Sequence, residues 1–304
     1  MKDYPLISVV IPTFNRKNKI TRLIQSILKT DYPNEQLQII VIDDFSNDGT
    51  YIEIQKKFPN VEILRNKKEQ LVSASRNFGL KKSKGDFILF VDDDNVVSSG
   101  MLRLLIEYME KHENVGVCAP LMLYYGTSTI WCAGIKRNMI TSRTVYLFNQ
   151  KKLDKIKLLK VIKSDDFPNC FLVRTEILRK YGILFDEILF PINYEESDFC
   201  YRIKNLGYQI VCYTGAIVWH DVSRNRGISF KTQKRTYYSA RNRILFHKKY
   251  SKRIQFLLFT LIFNWVFTSY YIYQIMFDSN KPGSKKIITI RNYLKGVKDG
   301  LHYA

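Results

Sequence analysis

Three carboxylates stand side by side at Asp92, Asp93 and Asp94, directly after the apolar segment 87–91, and Asn95 follows them. Carboxylates packed this closely repel one another unless a cation binds to them. A divalent ion held by one or two carboxylates and by substrate phosphates is the usual solution. The cluster therefore indicates a site for a metal ion and a phosphorylated ligand. The alternative is a solvated acidic turn.

A second acidic pair, Asp43 and Asp44, follows the apolar segment 37–42. A carboxylate in this place can accept a hydrogen bond from a base N–H group or from a ribose hydroxyl. The alternative is a structural role in helix capping, because Asn47 or Asp48 precedes a predicted helix and would cap its N-terminus. Both interpretations can hold together, with Asp44 binding a ligand and Asp48 capping the helix.

Three further acidic residues, Glu195, Glu196 and Asp198, fall in the first turn of a predicted helix. Negative charge at that end suits the helix dipole, so a structural role explains them. A carboxylate held at a helix start is also a candidate general base. His220 ends the apolar segment 208–219 and is either a structural histidine or a metal ligand.

Apolar, β-branched segments alternate with segments of helical periodicity along the first 120 residues. This alternation predicts an α/β fold with a mostly parallel sheet flanked by helices. Ligands of such sheets bind at the carboxyl ends of strands, where the acidic clusters lie. Residues 121–168 are predicted to be strands and loops that cover the sheet. The predicted strands are 6–11, 37–42, 61–66, 86–91, 115–120 and 208–220, and the predicted helices are 19–28, 51–58, 73–82, 101–112 and 195–206.

The charge of the chain is concentrated in its C-terminal part. The chain has 304 residues and a formal net charge of +20, and 46% of its residues are hydrophobic, which excludes a disordered protein. Residues 222–304 hold 17 Lys and Arg residues and only two acids, Asp278 and Asp299, a net charge of +15. Such asymmetry predicts a polyanionic partner, either nucleic acid or an anionic membrane surface. The five cysteines lack CxxC spacing, which predicts buried thiols and no zinc site.

Within this basic region, residues 254–277 carry no charge. As a helix they would extend about 36 Å, enough to cross a bilayer. Three interpretations stay open: a spanning helix, a helix in the membrane plane, and a helix buried in the core or in an oligomer. The apolar run argues against a nucleic-acid-binding tail, so we expect an anionic membrane surface as the partner and no nucleic acid.

Several motifs occur together in an order that resembles the family 2 glycosyltransferases with the GT-A fold. The resemblance covers about residues 5–245, and RNRILF (241–246) resembles a segment of rhamnosyltransferase-like members. The motifs are VVIPTFNR (9–16), VIDDFSNDGT (41–50), SASRNFGL (73–80), FVDDDN (90–95), FDE (185–187), EESDFCYRIKNLGY (195–208) and VWH (218–220).

The resemblance implies a role for each matching position. Asp94 matches the metal ligand of the DxD motif, with Asp92 and His220 as further metal contacts. Glu196 matches the catalytic base of the ED-x-D motif, where the family's usual Asp is replaced by a side chain about 1.5 Å longer. The choice among Glu195, Glu196 and Asp198 therefore stays open. The implied nucleotide-sugar-binding residues are Pro12, Thr13, Asn15, Arg16, Asp44, Arg76, Asp92 and Asp93.

The resemblance implies an inverting glycosyltransferase that uses Mg²⁺ or Mn²⁺ and moves a sugar from a nucleoside diphosphate to a glycan or lipid-linked acceptor. The expected catalytic domain is 1–225, with a nucleotide-sugar half at about 1–120 and an acceptor half at about 121–225. The tail 226–304 is expected to hold the enzyme on the cytoplasmic face of the cell membrane, and it is a candidate oligomer contact. A nucleotidyltransferase is the alternative enzyme, but IPTFNRKN lacks the glycine of its phosphate loop.

Overall fold

The computed structural model describes residues 4–222, 233–277 and 283–303. The strands among them are β1 (Ile7–Thr13), β2 (Leu37–Asp43), β3 (Glu62–Arg65), β4 (Phe87–Val91), β5 (Asn95–Val97), β6 (Val115–Tyr124), β7 (Ile130–Cys132), β8 (Ile135–Arg137), β9 (Thr144–Tyr146), β10 (Val161–Lys163), β11 (Cys170–Arg174) and β12 (Gln209–His220). The helices among them are α1 (Lys17–Leu28), α2 (Thr50–Lys57), α3 (Val72–Lys82), α4 (Met101–Glu110), α5 (Thr175–Tyr181), α6 (Glu195–Asn205), α7 (Gln233–Tyr250), α8 (Arg253–Leu258), α9 (Asn264–Met276) and α10 (Gly283–His302).

The central sheet has a parallel half and a mixed half. Its main path runs β10-β12-β6-β11-β4-β1-β2-β3, with β5 and β7 attached to β12 and β6. Strands β4, β1, β2 and β3 are parallel. Strand β11 lies antiparallel between β4 and β6, which point the same way. The predicted α/β class is confirmed, and the antiparallel pairs lie in the half that holds β11.

Strands β1 and β4 are buried on both faces, which explains why their sequences are almost continuously apolar. Helix α3 lies very close to the sheet at Gly79. A Cβ atom there would come within 2.5 Å of Val10 Cγ1 and 2.7 Å of Ile42 Cδ1. This close approach carries Arg76, one turn earlier on α3, toward the carboxyl ends of the strands. All five cysteines are buried and reduced, as predicted.

Helix α7 packs against both the sheet-bearing part of the chain and α10. Asn242, which is fully buried, donates hydrogen bonds to the backbone oxygens of Ile192 (2.9 Å) and Asn193 (3.0 Å). Gly296 and Gly300, one turn apart on α10, meet the backbone of α7 with no room for a side chain at Gly296. The expected domain boundary between 225 and 226 lies outside the described residues.

Between α7 and α10, α8 and α9 are joined through a π-helical segment (Phe259–Phe263) into one continuous helix, Arg253–Met276, called here the apolar helix. By length and composition alone, it is the helix among the described residues that could cross a membrane. Phe259, Asn264 and Ile275 are buried on one face, where the apolar side chains pack with α7 and α10. The opposite face is exposed. Its large side chains include Ile254, Leu257, Leu261, Trp265, Val266, Tyr273 and Met276.

Candidate functional site

Two adjoining cavities open at the carboxyl ends of β1, β2 and β4. The smaller cavity has a volume of about 430 Å³ and lies over the β1 and β2 ends. The larger cavity has a volume of about 530 Å³ and extends to the tail helices. Arg16, Asp92 and Arg235 line both, so a ligand of sufficient length can occupy the two together.

The smaller cavity gathers most of the predicted nucleotide-sugar-binding residues. Those that line it are Pro12, Thr13, Arg16, Asp44, Asp92 and Asp93. The Asp44 carboxylate accepts hydrogen bonds from Asn66 Nδ2 (2.7 Å), Gln70 N (2.8 Å) and Leu71 N (3.0 Å). Asp44 therefore also orders the loop that closes this cavity, a role that its position after β2 did not indicate.

Asn15 stands beside this cavity without lining it. Its side chain accepts a hydrogen bond from Asn47 N at 2.8 Å, and its backbone N–H donates to Ser46 Oγ at 2.8 Å. Its φ of 53° is a left-handed conformation that asparagine tolerates well. The structure therefore gives Asn15 the task of joining the loops that follow β1 and β2.

The acidic cluster at the end of β4 is already neutralised by neighbouring side chains. Arg16 Nη1 lies 2.8 Å from Asp93 Oδ1 and 2.8 Å from Asp94 Oδ2. Burial raises the pKa of Asp93 to about 6, although Arg16 opposes the rise. Burial also acts to raise the pKa of Asp94, but the hydrogen bond and charge of His220, with Arg16, hold it far below its usual range.

Asp94 and His220 are the residues best placed to hold a metal ion. His220 Nε2 lies 3.3 Å from Asp94 Oδ1, and Trp131 packs edge-on against the imidazole. No group of three or more His, Cys, Asp or Glu side chains able to hold a metal occurs among the described residues. One carboxylate and one imidazole fit a divalent ion that takes its remaining ligands from diphosphate oxygens and water.

The start of α6 places Glu195 and Glu196 in the larger cavity over a fully buried arginine. Arg76 Nη2 lies 2.6 Å from Glu196 Oε1 and 2.7 Å from Asp92 Oδ1, and Arg76 Nη1 lies 3.5 Å from Glu195 Oε1. Asn169 N donates to the same Glu196 oxygen at 2.8 Å. Arg76 lines neither cavity, so it acts from beneath as the group that positions the carboxylates.

The two glutamates differ in exposure. The Glu196 side chain is 18% exposed, against 8% for Glu195. Burial raises the pKa of Glu195 to about 8, and the neighbouring Glu196 charge adds to the rise. Burial raises the pKa of Glu196 as well, and Arg76 opposes it. Glu196 is therefore the more accessible of the two candidate bases.

Asp198, the third candidate base, is not brought to either cavity. It is fully buried, and its Oδ1 lies 2.7 Å from Lys249 Nζ and 2.7 Å from Tyr250 Oη, both on α7. Its Oδ2 accepts a hydrogen bond from Arg202 at 2.9 Å. Asp198 therefore joins α6 to the tail, because helical spacing turns it away from the face that carries Glu196.

The larger cavity also contains residues that the sequence did not single out. Asn169, just before β11, contacts the His220 ring with its Nδ2 atom. Arg137 is buried against Asp166 and donates to Ser197 Oγ at 2.7 Å. The tail supplies five residues, called here the tail wall, to the lining of this cavity. Its members are Arg235, Ser239 and Arg243 from α7, Tyr271 from the apolar helix and Tyr293 from α10.

A family model described as "Glycosyl transferase family 2" matches residues 8–182. The match covers more than half of the chain, so the chain belongs to this family, and the resemblance noted from its motifs is confirmed at that level. Family membership favours the predicted glycosyltransferase over a nucleotidyltransferase. The rhamnosyltransferase-like branch stays a prediction.

Three known proteins illustrate the similarity. The poly(ribitol-phosphate) beta-N-acetylglucosaminyltransferase TarS of Staphylococcus aureus is 29% identical over 169 residues, which cover 50% of this chain and 28% of TarS. The structure of GalNAc-T7 with UDP, GalNAc and Mn²⁺ superposes with a TM-score of 0.68 at 16% identity over 100% of this chain and 57% of that protein. The mannosyltransferase PcManGT from Pyrobaculum calidifontis, in complex with GDP-Man and Mn²⁺, gives a TM-score of 0.63 at 14% identity over 99% and 88%. The structural matches confirm the GT-A fold.

Proposed function

We propose that this chain is an inverting glycosyltransferase that uses a nucleoside-diphosphate sugar and Mg²⁺ or Mn²⁺. One observation carries the proposal. The Asp94–His220 pair and the Glu196 carboxylate line a single cavity, and that cavity shares lining residues with the one lined by Asp44. The residues proposed for the metal ion, the base and the nucleotide thus lie in two adjoining cavities. The Mn²⁺ in the GT-A structures above supports the choice of ion.

In this reaction each residue has a distinct task. Asp44 and Thr13 hold the nucleoside in the smaller cavity. Asp94 and His220 would hold the metal ion, which offsets the charge of the departing diphosphate. Glu196 accepts the proton of the acceptor hydroxyl while the oxygen of that hydroxyl bonds to the anomeric carbon of the sugar. The bond from that carbon to the diphosphate breaks on the opposite side, so the anomeric configuration is inverted.

Arg76 holds the Glu196 carboxylate in a fixed orientation for proton transfer. Its guanidinium bonds to one oxygen of Glu196 and leaves the other outside that contact. A fixed orientation of the base avoids an entropic cost at the moment of proton transfer. Because TarS acts on poly(ribitol-phosphate) and the tail wall lies in the same cavity, we propose a glycan or lipid-linked chain as the acceptor.

A nucleotide-binding panel tests the proposal. Thermal unfolding of the full chain is measured with UDP, GDP, CDP and dTDP, each with and without Mn²⁺. We expect one nucleotide to raise the unfolding temperature, and more strongly with Mn²⁺ than without it, because ligand binding stabilises only the folded state. No shift with any of the four nucleotides would contradict the proposal.

We further propose that the exposed face of the apolar helix lies on the cytoplasmic surface of the cell membrane, parallel to it. Leu261 and Val266 are 65% and 59% exposed on this face. On the adjacent helix α10, Ile287 is 70% exposed, and Lys285 and Arg291 are exposed near it. Apolar side chains next to basic ones suit an anionic lipid surface. An in-plane orientation keeps the buried face of the helix on α7 and α10.

Vesicle sedimentation tests this orientation. We expect the full chain to bind vesicles with anionic lipid more tightly than neutral ones. Leu261→Glu should weaken vesicle binding roughly tenfold, because the substitution places a negative charge on the surface that faces the lipid. Ile52→Glu is the matched control, since Ile52 is 68% exposed on α2, far along the chain from the tail. Equal loss in both variants would contradict the assignment of this face.

A further inference from the structure

The tail wall contains a buried arginine whose charge has no acidic partner. Arg243 is 3% exposed and lines the larger cavity. Its Nη2 donates to Asn264 Oδ1 at 3.1 Å, whereas its Nε and Nη1 atoms have no hydrogen-bond partner. No ion pair joins Arg243 to any residue in the described part of the chain. A guanidinium has five N–H donors, so most of its capacity is unused.

Aromatic rings surround this guanidinium but do not neutralise it. Its carbon lies 5.3 Å from the ring centre of Phe267, 5.4 Å from that of Tyr271 and 6.0 Å from that of Tyr293. Cation–π contacts of this kind offset part of the cost of burying a charge. They leave the Nε and Nη1 groups of Arg243 without a hydrogen-bond acceptor, and unsatisfied buried donors are costly.

Other arginines of the same cavity show what a compensated charge looks like. Arg16 is paired with Asp93 and Asp94, and Arg137 is paired with Asp166. Arg243 faces the same cavity from the tail wall, where Ser239 on the same helix adds a hydroxyl. The wall across the cavity is acidic, so an anionic ligand group would be drawn to the Arg243 side.

We propose that Arg243 binds a phosphate group of the acceptor. The inference rests on the proposed function and narrows its acceptor to a phosphate-bearing molecule. A phosphate oxygen supplies both the negative charge and the acceptor atoms that the guanidinium lacks. Two sources share this chemistry, a phosphodiester-linked polyol or glycan chain and the phosphate headgroup of a lipid-linked acceptor.

Binding by calorimetry on the full chain, saturated with Mn²⁺ and the nucleotide that stabilises it, tests the proposal. The probes are a glycerol-phosphate oligomer, a neutral glucan of similar length and a short-chain, water-soluble phosphatidic acid. We expect one phosphate probe to bind at least roughly tenfold tighter than the glucan, and more weakly as salt rises. The tighter of the two phosphate probes identifies the source. Equal binding of all three probes would overturn the proposal.

Variants of two arginines on α7 test whether Arg243 is the residue that contacts the phosphate group. Arg243→Met should weaken the phosphate probe roughly tenfold or more, and Arg243→Lys should recover part of the loss. Arg241→Met is the matched control, because Arg241 is 8% exposed on the same helix but bonds to the backbone oxygens of Ile188 and Leu189. Its phosphate affinity should change less than about twofold.

Measuring nucleotide binding distinguishes a failure of this inference from a failure of the proposed function. If Arg243→Met keeps both nucleotide and phosphate affinity, Arg243 serves only the aromatic cluster and the inference is wrong. If the wild-type chain binds no nucleotide, the proposed function itself fails. If Arg243→Met loses nucleotide binding through misfolding, the wild-type comparison of phosphate and neutral probes decides the question alone.

Discussion

The two walls of the larger cavity treat buried charge in opposite ways. On the wall formed by the strand ends and α6, called here the acidic wall, each buried carboxylate lies near a cation, as with Arg16 on Asp94 and Arg76 on Glu196. On the tail wall, the described contacts of Arg243 are with the Asn264 amide and with aromatic side chains, Tyr271 and Tyr293 among them, and none of them is with a carboxylate. The charges of the acidic wall are therefore compensated before a ligand binds. The tail wall has N–H donors on Arg243 that are available to a ligand.

The two walls also differ in which contacts must break when a ligand binds. Arg16 contacts Asp93 Oδ1 and Asp94 Oδ2, whereas His220 faces the other Asp94 oxygen, Oδ1. A metal ion bound there would compete with Arg16 for Asp94, so the arginine would become available to the diphosphate. The tail wall needs no such exchange, because its cation is not paired.

The largest effect is expected on the acidic wall, from Glu196→Gln. The substitution removes the proton acceptor but keeps the shape, so transfer should fall roughly a thousandfold, with nucleotide affinity nearly unchanged. Because burial raises the pKa of Glu196, the wild-type rate should rise with pH through a value above that of a free glutamate. Initial rates of nucleoside-diphosphate release measure both. Glu195→Gln is the control, and a larger loss in that variant would make Glu195 the base.

The next effect concerns metal binding on the same wall. Asp94→Asn should weaken Mn²⁺-dependent nucleotide binding roughly tenfold or more, because a neutral amide replaces the carboxylate. Binding without metal should be unchanged or tighter, since one negative charge near the diphosphate is gone. Calorimetric titration with and without Mn²⁺ distinguishes the two. Asp221→Asn, which touches Arg22 outside the cavities, should leave both affinities unchanged.

A third test moves to the contact between the walls. Asp198→Asn should lower the free energy of unfolding by about 3 kcal/mol, because Lys249, Arg202 and Tyr250 all lose the buried carboxylate that they share. Asp31→Asn breaks an exposed pair with Arg103 and should cost less than about 1 kcal/mol. Denaturant unfolding measures both. Equal costs would mean that the contact between α6 and α7 contributes little.

The smaller of the two effects on stability is the response of the tail to acid. His247 stacks on Phe259, and burial lowers its pKa from 6.5 to about 3. The folded state therefore favours the neutral ring, and its contribution is complete above pH 6.5 and is lost as the pH falls toward 3. By pH 5 the loss should be about 2 kcal/mol. His247→Phe should remove this slope in unfolding experiments between pH 7 and 5, and an unchanged slope would assign it to other groups.

The acidic residues at the strand ends were largely predictable from the sequence, because they directly follow strands. Once the strand order is parallel, Asp44 and Asp94 must meet at one edge of the sheet. The tail wall was not predictable in this way. Arg243 reaches the cavity only because α7 packs on the loop before α6, and no local pattern around residue 243 encodes that packing. The same limit applies to Asn169, which meets His220 across 51 positions.

Helical phase explains why the structure separates the acidic residues of one motif. Glu196 and Asp198 are two positions apart, so they point about 200° apart around the helix. The sequence shows three acids in one turn, whereas the structure sends one to the cavity and another to α7. Asn15 likewise lies among cavity residues in sequence but bonds to the neighbouring loop.

The Asp198 contact has a practical consequence for anyone who wishes to simplify the chain. Removal of everything after residue 222, to obtain a soluble catalytic fragment, would delete Lys249 and Tyr250 and leave a buried carboxylate without them. The first turn of α6, which also bears Glu196, would lose its support. Polar substitutions on the exposed face of the apolar helix are therefore the better route to solubility, since they leave that support in place.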